Sequence, residues 1–114
     1  MTDEQINTLL AEEVMKFLYA DDAYYLDNEN GDYYCEVEDW QPTQNIEQAL
    51  MCAEKFCDGA GCYMTINYYY TEIWQVRIWN EVSLLETDAD IEVIASDKKL
   101  ELAICSALLE AVKE

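Results

Sequence analysis

Three observations predict one α/β (α+β) domain, a three-layer α-β-α sandwich with a mainly antiparallel sheet, an N-terminal acidic β-hairpin and three helices. Helical apolar periodicity recurs at the start, middle and end of the chain. A strand–turn–strand pattern lies between the first two of these segments. Two further adjacent strand candidates are apolar on both faces, which asks for helices above and below the sheet. The 114 residues fit a single domain, 1–114. A chain of this length buries roughly two thirds of its unfolded surface, enough for one core without a staple.

Residues 2–20 read as the first helix. Thr2 and Gln5 have capping-box spacing, Asp3 and Glu4 suit the helix dipole, and Ile6, Leu9, Leu10, Val14, Phe17 and Leu18 form a stripe. "AYYL" and "YYCEV" then flank "DNENGD", whose Asn30-Gly31 step signals a hairpin tip. In the second arm Tyr33, Cys35 and Val37 are expected on one face, and Tyr34, Glu36 and Glu38 on the other. Asn45, with Gln48 three positions on, caps a second helix over residues 46–57, and "DGAG" at 58–61 ends it. Strands are expected at 62–69 and 73–79 around a turn at Tyr70-Thr71-Glu72, then at 91–95, with a weaker one at 82–85. A last helix over 97–113, capped by Ser96, carries Leu100, Ala103, Ile104, Ala107, Leu108 and Ala111 on one face.

Three blocks of this sequence resemble the phage ABA-sandwich domain family. "LLAEEVMKF" is similar to its N-terminal helix, which often ends in a Val-Met-Gly-Trp run; Val14 and Met15 match, whereas Lys16 and Phe17 replace the glycine and tryptophan. "WQPTQNIEQA" resembles the family's helix entry through Trp40, Pro42, Thr43, Asn45, Ile46 and Ala49. "LAICSALLEAV" resembles its C-terminal helix through Leu102, Ala103, Ile104, Cys105, Ala107 and Leu108. The resemblance implies a phage or prophage origin and a three-layer fold. It implies no shared reaction and no catalytic residues, and the acidic hairpin is not among the family's hallmarks.

The charge is the strongest functional signal. Twenty-five acids against six bases give a net charge of −19, which disfavours contact with nucleic acid or anionic lipid and favours a basic partner surface. No segment approaches the roughly 18 apolar residues of a membrane span. The opening "MTDEQINTLL" lacks the basic and apolar regions of a signal peptide, and five cysteines, an odd number, read as reduced thiols of a cytoplasmic protein, here the host bacterial cytoplasm.

Enzymatic chemistry is not expected. With no histidine, the usual general base and the commonest metal ligand are missing. Cys52, Cys57 and Cys62 lie five apart, outside zinc-site spacing, and read with Cys35 and Cys105 as small hydrophobes. Setting Gly31 at the sixth position of a calcium loop puts Leu26 first and Val37 twelfth, where oxygen donors are required. "CDGAGC" lacks the lysine of a phosphate loop. Neither cofactor nor metal is expected.

Recognition remains. Residues 21–40 hold eight carboxylates, four tyrosines and one tryptophan, and no base. Tyr24, Tyr25, Tyr33 and Tyr34 provide contact area at low entropic cost. Asp21, Asp22, Asp27, Glu29, Asp32, Glu36, Glu38 and Asp39 steer towards arginines and pair with them. These twelve residues are the candidate partner-binding site. The partner expected is the basic groove of a nucleic-acid-binding host defence effector, occupied by an anti-CRISPR-like inhibitor acting as a nucleic-acid mimic. Same-face strand residues repeat every ~6.6 Å, against a charge every ~3.4 Å along a DNA strand, so the match would be one of total field. The alternative is a phage accessory or assembly protein that self-associates or contacts other phage proteins, its acidic surface only solubilising.

Overall fold

The computed structural model describes residues 1–70, 72–80 and 91–113. Over these residues it has the expected α+β class: three α-helices and two three-stranded antiparallel sheets in a sandwich arrangement. The weak strand expected at 82–85 lies outside the described residues. Among the described residues, no helix is long and apolar enough to cross a membrane.

Helix α1, Asp3–Leu9, opens with the capping box read from the sequence. The Gln5 amide donates to Thr2 Oγ1 at 3.2 Å and the Thr2 amide to Gln5 Oε1 at 2.8 Å. The helix does not reach residue 20. It widens into a π-turn over Leu10–Val14 and stops where Lys16 takes a left-handed conformation, φ 57°. The Phe17 amide closes that end by donating to Ala11 O six residues back, one residue wider than the six-to-one bond of a Schellman terminus because the turn before it is a π-turn. Apolar periodicity ran past this stop because Phe17 is buried from either side of it, while Leu18 turns outward.

Leu18–Ala20 is instead strand β1. It pairs with β2, Ala23–Tyr25, through a two-residue turn in which Asp21 and Asp22 both have positive φ, 51° and 58°. This is the primed turn whose twist suits a hairpin. Strand β3, Tyr33–Glu36, completes the first sheet in the order β1-β2-β3. Its expected alternation fails for a local reason. Tyr24 pairs with Cys35 and Tyr25 with Tyr33, so Tyr34 is the extra residue of a bulge and its ring is redirected into the core. Val37 leaves the strand for a 3₁₀ turn, Val37–Asp39.

Helix α2, Ile46–Ala60, begins at Asn45, whose side chain accepts from the Gln48 amide at 3.1 Å. It runs three residues past the expected end, because the cap is Gly61 (φ 67°) and not Gly59. Strands β4, Cys62–Tyr69, and β5, Ile73–Asn80, pair through eight consecutive positions. Between them the Glu72 amide donates to Tyr69 O, with Glu72 at φ 64°. Strand β6, Glu92–Asp97, flanks β5. Ser96 stays in β6 and does not cap α3, Leu100–Lys113; the Asp97 carboxylate accepts from the Lys99 amide just before that helix.

Helices α2 and α3 pack side by side on one face of the second sheet, where Cys62, Val76, Ile78 and Val93 are buried. The expectation of helices on both faces is met on this face. Tyr63, Tyr69 and Ile94 on the other face are exposed, and no described helix lies over them. The N-terminal helical segment packs on α3 and α2 as well, which leaves Ala103, Ile104, Cys105, Ala107 and Leu108 without exposed surface. Burial pushes the thiols of Cys52 and Cys105 up to about 12, in keeping with small core hydrophobes.

Candidate partner-binding cleft

Trp40 joins the first sheet to the helices. It is 2% exposed, its ring stands edge-on to Phe17 at 5.0 Å, and its Nε1–H donates to Asn7 O at 2.9 Å. The Asn7 side chain in turn accepts from the Thr43 amide at 3.1 Å. Helix α1 and the segment after the hairpin are therefore locked together by one aromatic ring and two hydrogen bonds. The Val37 amide donates to Asp22 O, tying the 3₁₀ turn back to the β1–β2 turn.

Between these walls lies a cleft of about 670 Å³. Glu4, Asp22, Glu36 and Glu38 line it, with Asn7, Thr8 and Gln41 as neutral polar groups and Tyr24, Val37 and Trp40 as apolar lining. No lysine or arginine lines it. Such a cleft suits a guanidinium or ammonium group, which would gain charge-assisted hydrogen bonds at the carboxylates and a favourable position beside aromatic rings. Among the described residues, no group of three or more acidic or cysteine side chains is placed to hold one metal ion.

The fold sorts the twelve candidate residues into groups. All eight carboxylates are exposed: Asp21 and Asp22 at the β1–β2 turn, Asp27, Glu29 and Asp32 at the hairpin tip, Glu36, Glu38 and Asp39 along the return. Of these, Asp22, Glu36 and Glu38 reach the cleft. Asn28 organises the tip, its side-chain oxygen accepting from the amides of Asn30, Gly31 and Asp32. Tyr24 and Tyr34 are inner residues. Tyr24 is 4% exposed against Phe17, and Tyr34 stacks on Phe17 at 4.9 Å with its hydroxyl donating to Met51 Sδ. Burial raises the pKa of both hydroxyls. Tyr33 is 55% exposed, donates to Glu36 Oε1 and stands edge-on to the half-buried Tyr25.

Six of the ten residues that line the cleft, Glu4, Asn7, Thr8, Val37, Trp40 and Gln41, lie outside the twelve sequence candidates. Glu4 and Thr8 come from α1 and enter the cleft from across the chain. Their i, i+4 spacing put them on one helix face, but nothing local marked that face as opposing the hairpin. Tyr19 was read as helical; its hydroxyl donates to Asp22 Oδ1 at 2.9 Å, and this bond to a carboxylate raises its pKa.

A family model, the phage ABA sandwich domain, matches residues 8–109. The chain belongs to that family. No curated protein matches it, and no solved structure does. In this phage ABA sandwich protein the matched span takes in the whole hairpin, both sheets and most of α3, while Glu4 and Asn7 precede it. Lys16, standing where the family's helix often carries glycine, has the left-handed backbone that glycine adopts without strain.

Proposed function

We propose that this phage ABA sandwich protein is a binding protein that works by occupancy and not by chemistry. Its cleft and acidic hairpin seat the arginines and lysines of a basic, nucleic-acid-binding surface in the host bacterial cytoplasm. By filling that surface it acts as a nucleic-acid mimic, an anti-defence inhibitor of the anti-CRISPR kind. The observation that carries this reading is the cleft itself, with Glu4, Asp22, Glu36 and Glu38 around an aromatic lining and no base among them. The remaining hairpin carboxylates extend the same field outward, and long-range attraction of this kind speeds encounter with a basic partner.

The test is capture from host lysate by the tagged protein, alongside a variant carrying Glu4→Gln, Asp22→Asn, Glu36→Gln and Glu38→Gln. The reading expects a basic nucleic-acid-binding protein to be held by the parent, to be released by salt and by added duplex DNA, and to be lost from the variant. Equal retention by both forms, or release by salt but not by nucleic acid, would sink it.

A further inference from the structure

Strand β4 lies on the other sheet, away from the acidic cleft. Among the described residues it is an edge: β5 pairs with one side of it and no described strand with the other. Edge strands are ordinarily blunted by charged side chains, proline or a bulge. β4 has none of these. Residues 59–71 contain no charged residue and no proline, in a chain that is 27% charged, and the pairing with β5 runs unbroken through eight positions. β6, the opposite edge, carries Glu92 and Asp97. At ~3.4 Å per residue, β4 presents an uncharged edge ~27 Å long.

The side chains along that edge are self-complementary. Reading outward from Ile66, Thr65 and Asn67 are polar, Met64 and Tyr68 large, and Tyr63 and Tyr69 aromatic. Antiparallel pairing with a second β4 centred on Ile66 sets Ile66 against Ile66, Thr65 against Asn67, Met64 against Tyr68 and Tyr63 against Tyr69. Each pair falls on one face of the sheet, so polar meets polar, sulfur meets aromatic and ring meets ring. Tyr63, Ile66, Tyr68 and Tyr69 are 50%, 36%, 55% and 45% exposed, so each keeps surface for these contacts beside the ones that Tyr63, Tyr68 and Tyr69 make to Trp79, Trp74 and Gln75 on β5.

We propose that two copies of this chain pair through β4 about a two-fold axis, joining their second sheets into one six-stranded antiparallel sheet. Charge selects a second copy as the occupant. Two molecules of net charge −19 repel across most approaches, and β4 brings no like charges face to face. A two-fold contact also requires a self-complementary patch, which the order of side chains around Ile66 supplies. The pairing does not depend on the cleft reading and responds to salt with the opposite sign. Screening eases the approach of two acidic chains, whereas it weakens a carboxylate's hold on a basic partner.

Sedimentation equilibrium of the full chain tests this, from about 1 μM to about 1 mM protein and at about 50 mM and about 500 mM salt. Amide exchange is followed in parallel. The expected result is a monomer–dimer equilibrium tightened several-fold by salt, with protection of residues 62–69 that grows with protein concentration. Ile66→Lys, which sets two like charges opposite each other on the axis, is expected to abolish the dimer. Thr65→Glu, at a solvent-facing position, is expected to weaken it while leaving the melting curve in place. A monomer throughout, a dimer whose protection falls on β6 or the acidic hairpin, or a dimer indifferent to both substitutions would overturn the proposal.

Discussion

The two aromatic hairpins of this molecule make opposite use of similar residues. Residues 18–40 and residues 62–80 are both rich in tyrosine and tryptophan, and both form antiparallel strands. In the first, eight carboxylates surround the rings, a bulge turns Tyr34 inward, and the tip is braced by Asn28. In the second, the register is regular, and β5 brings one base, Arg77, which lies over Trp79 at 4.5 Å and faces Glu92 at 3.8 Å. Tyrosine makes the strands in both places, because an aromatic ring suits a half-buried pleated surface. Charge is what separates them: eight carboxylates crowd the first hairpin, whereas β4 of the second carries no charged residue.

The largest expected effect comes from cutting the first hairpin loose. Trp40→Ala removes a nearly fully buried ring and the bond to Asn7 O, and is expected to lower unfolding free energy by about 3–5 kcal/mol in urea titration. Exchange protection should then be lost in residues 18–40 before residues 62–80. Equal loss in both would mean that the hairpins are one cooperative unit.

Alkaline pH acts on the core shared by both regions. The thiols of Cys52 and Cys105 are held neutral by burial, raised from 9.0 to about 12. Their contribution is complete below pH 9 and disappears as pH rises towards 12. Each thiol is expected to account for about 2 kcal/mol of lost stability by pH about 10.5, measured by denaturant unfolding against a pH 8 control. A flat profile would show that these thiols are not excluded from water.

The acidic turn offers a finer contrast. Asp21→Asn with Asp22→Gly supplies residues that accept positive φ readily and removes two charges. The melting temperature is expected to rise, by the equivalent of about 1 kcal/mol, while binding to a basic partner falls. If stability drops instead, the Tyr19–Asp22 bond matters more to the first sheet than the turn conformation does.

Lys16→Gly is the smallest change. It relieves a left-handed non-glycine residue at the helix end, worth about 1 kcal/mol before the opposing entropy of glycine is subtracted. A small gain in urea midpoint, with partner binding unchanged, is the expected outcome. A loss would mean that the lysine side chain holds the junction between helix and sheet.

Much of this architecture was legible in the residues because it rests on local chemistry. The Thr2–Gln5 box, the Asn45 cap, the Asn30-Gly31 tip and the bounds of β4 are each specified within a few positions of chain. β1 was not legible. Its apolar residues continue a helical stripe, and the stop at Lys16 is made by a residue that carries no stop signal. The inward turn of Tyr34 was likewise hidden, since a bulge breaks the period of two on which face assignments rest.

By itself, then, the sequence determined the charge, the aromatic strands, three helices and the absence of histidine, all properties of composition and short-range pattern. Only the tertiary structure decided which carboxylates share a cleft, because Glu4 meets Asp22, Glu36 and Glu38 through the packing of Trp40 beneath Asn7. It also decided that β4 is an edge among the described strands, since which strand lies outermost depends on pairing across the chain and not on the strand's own residues.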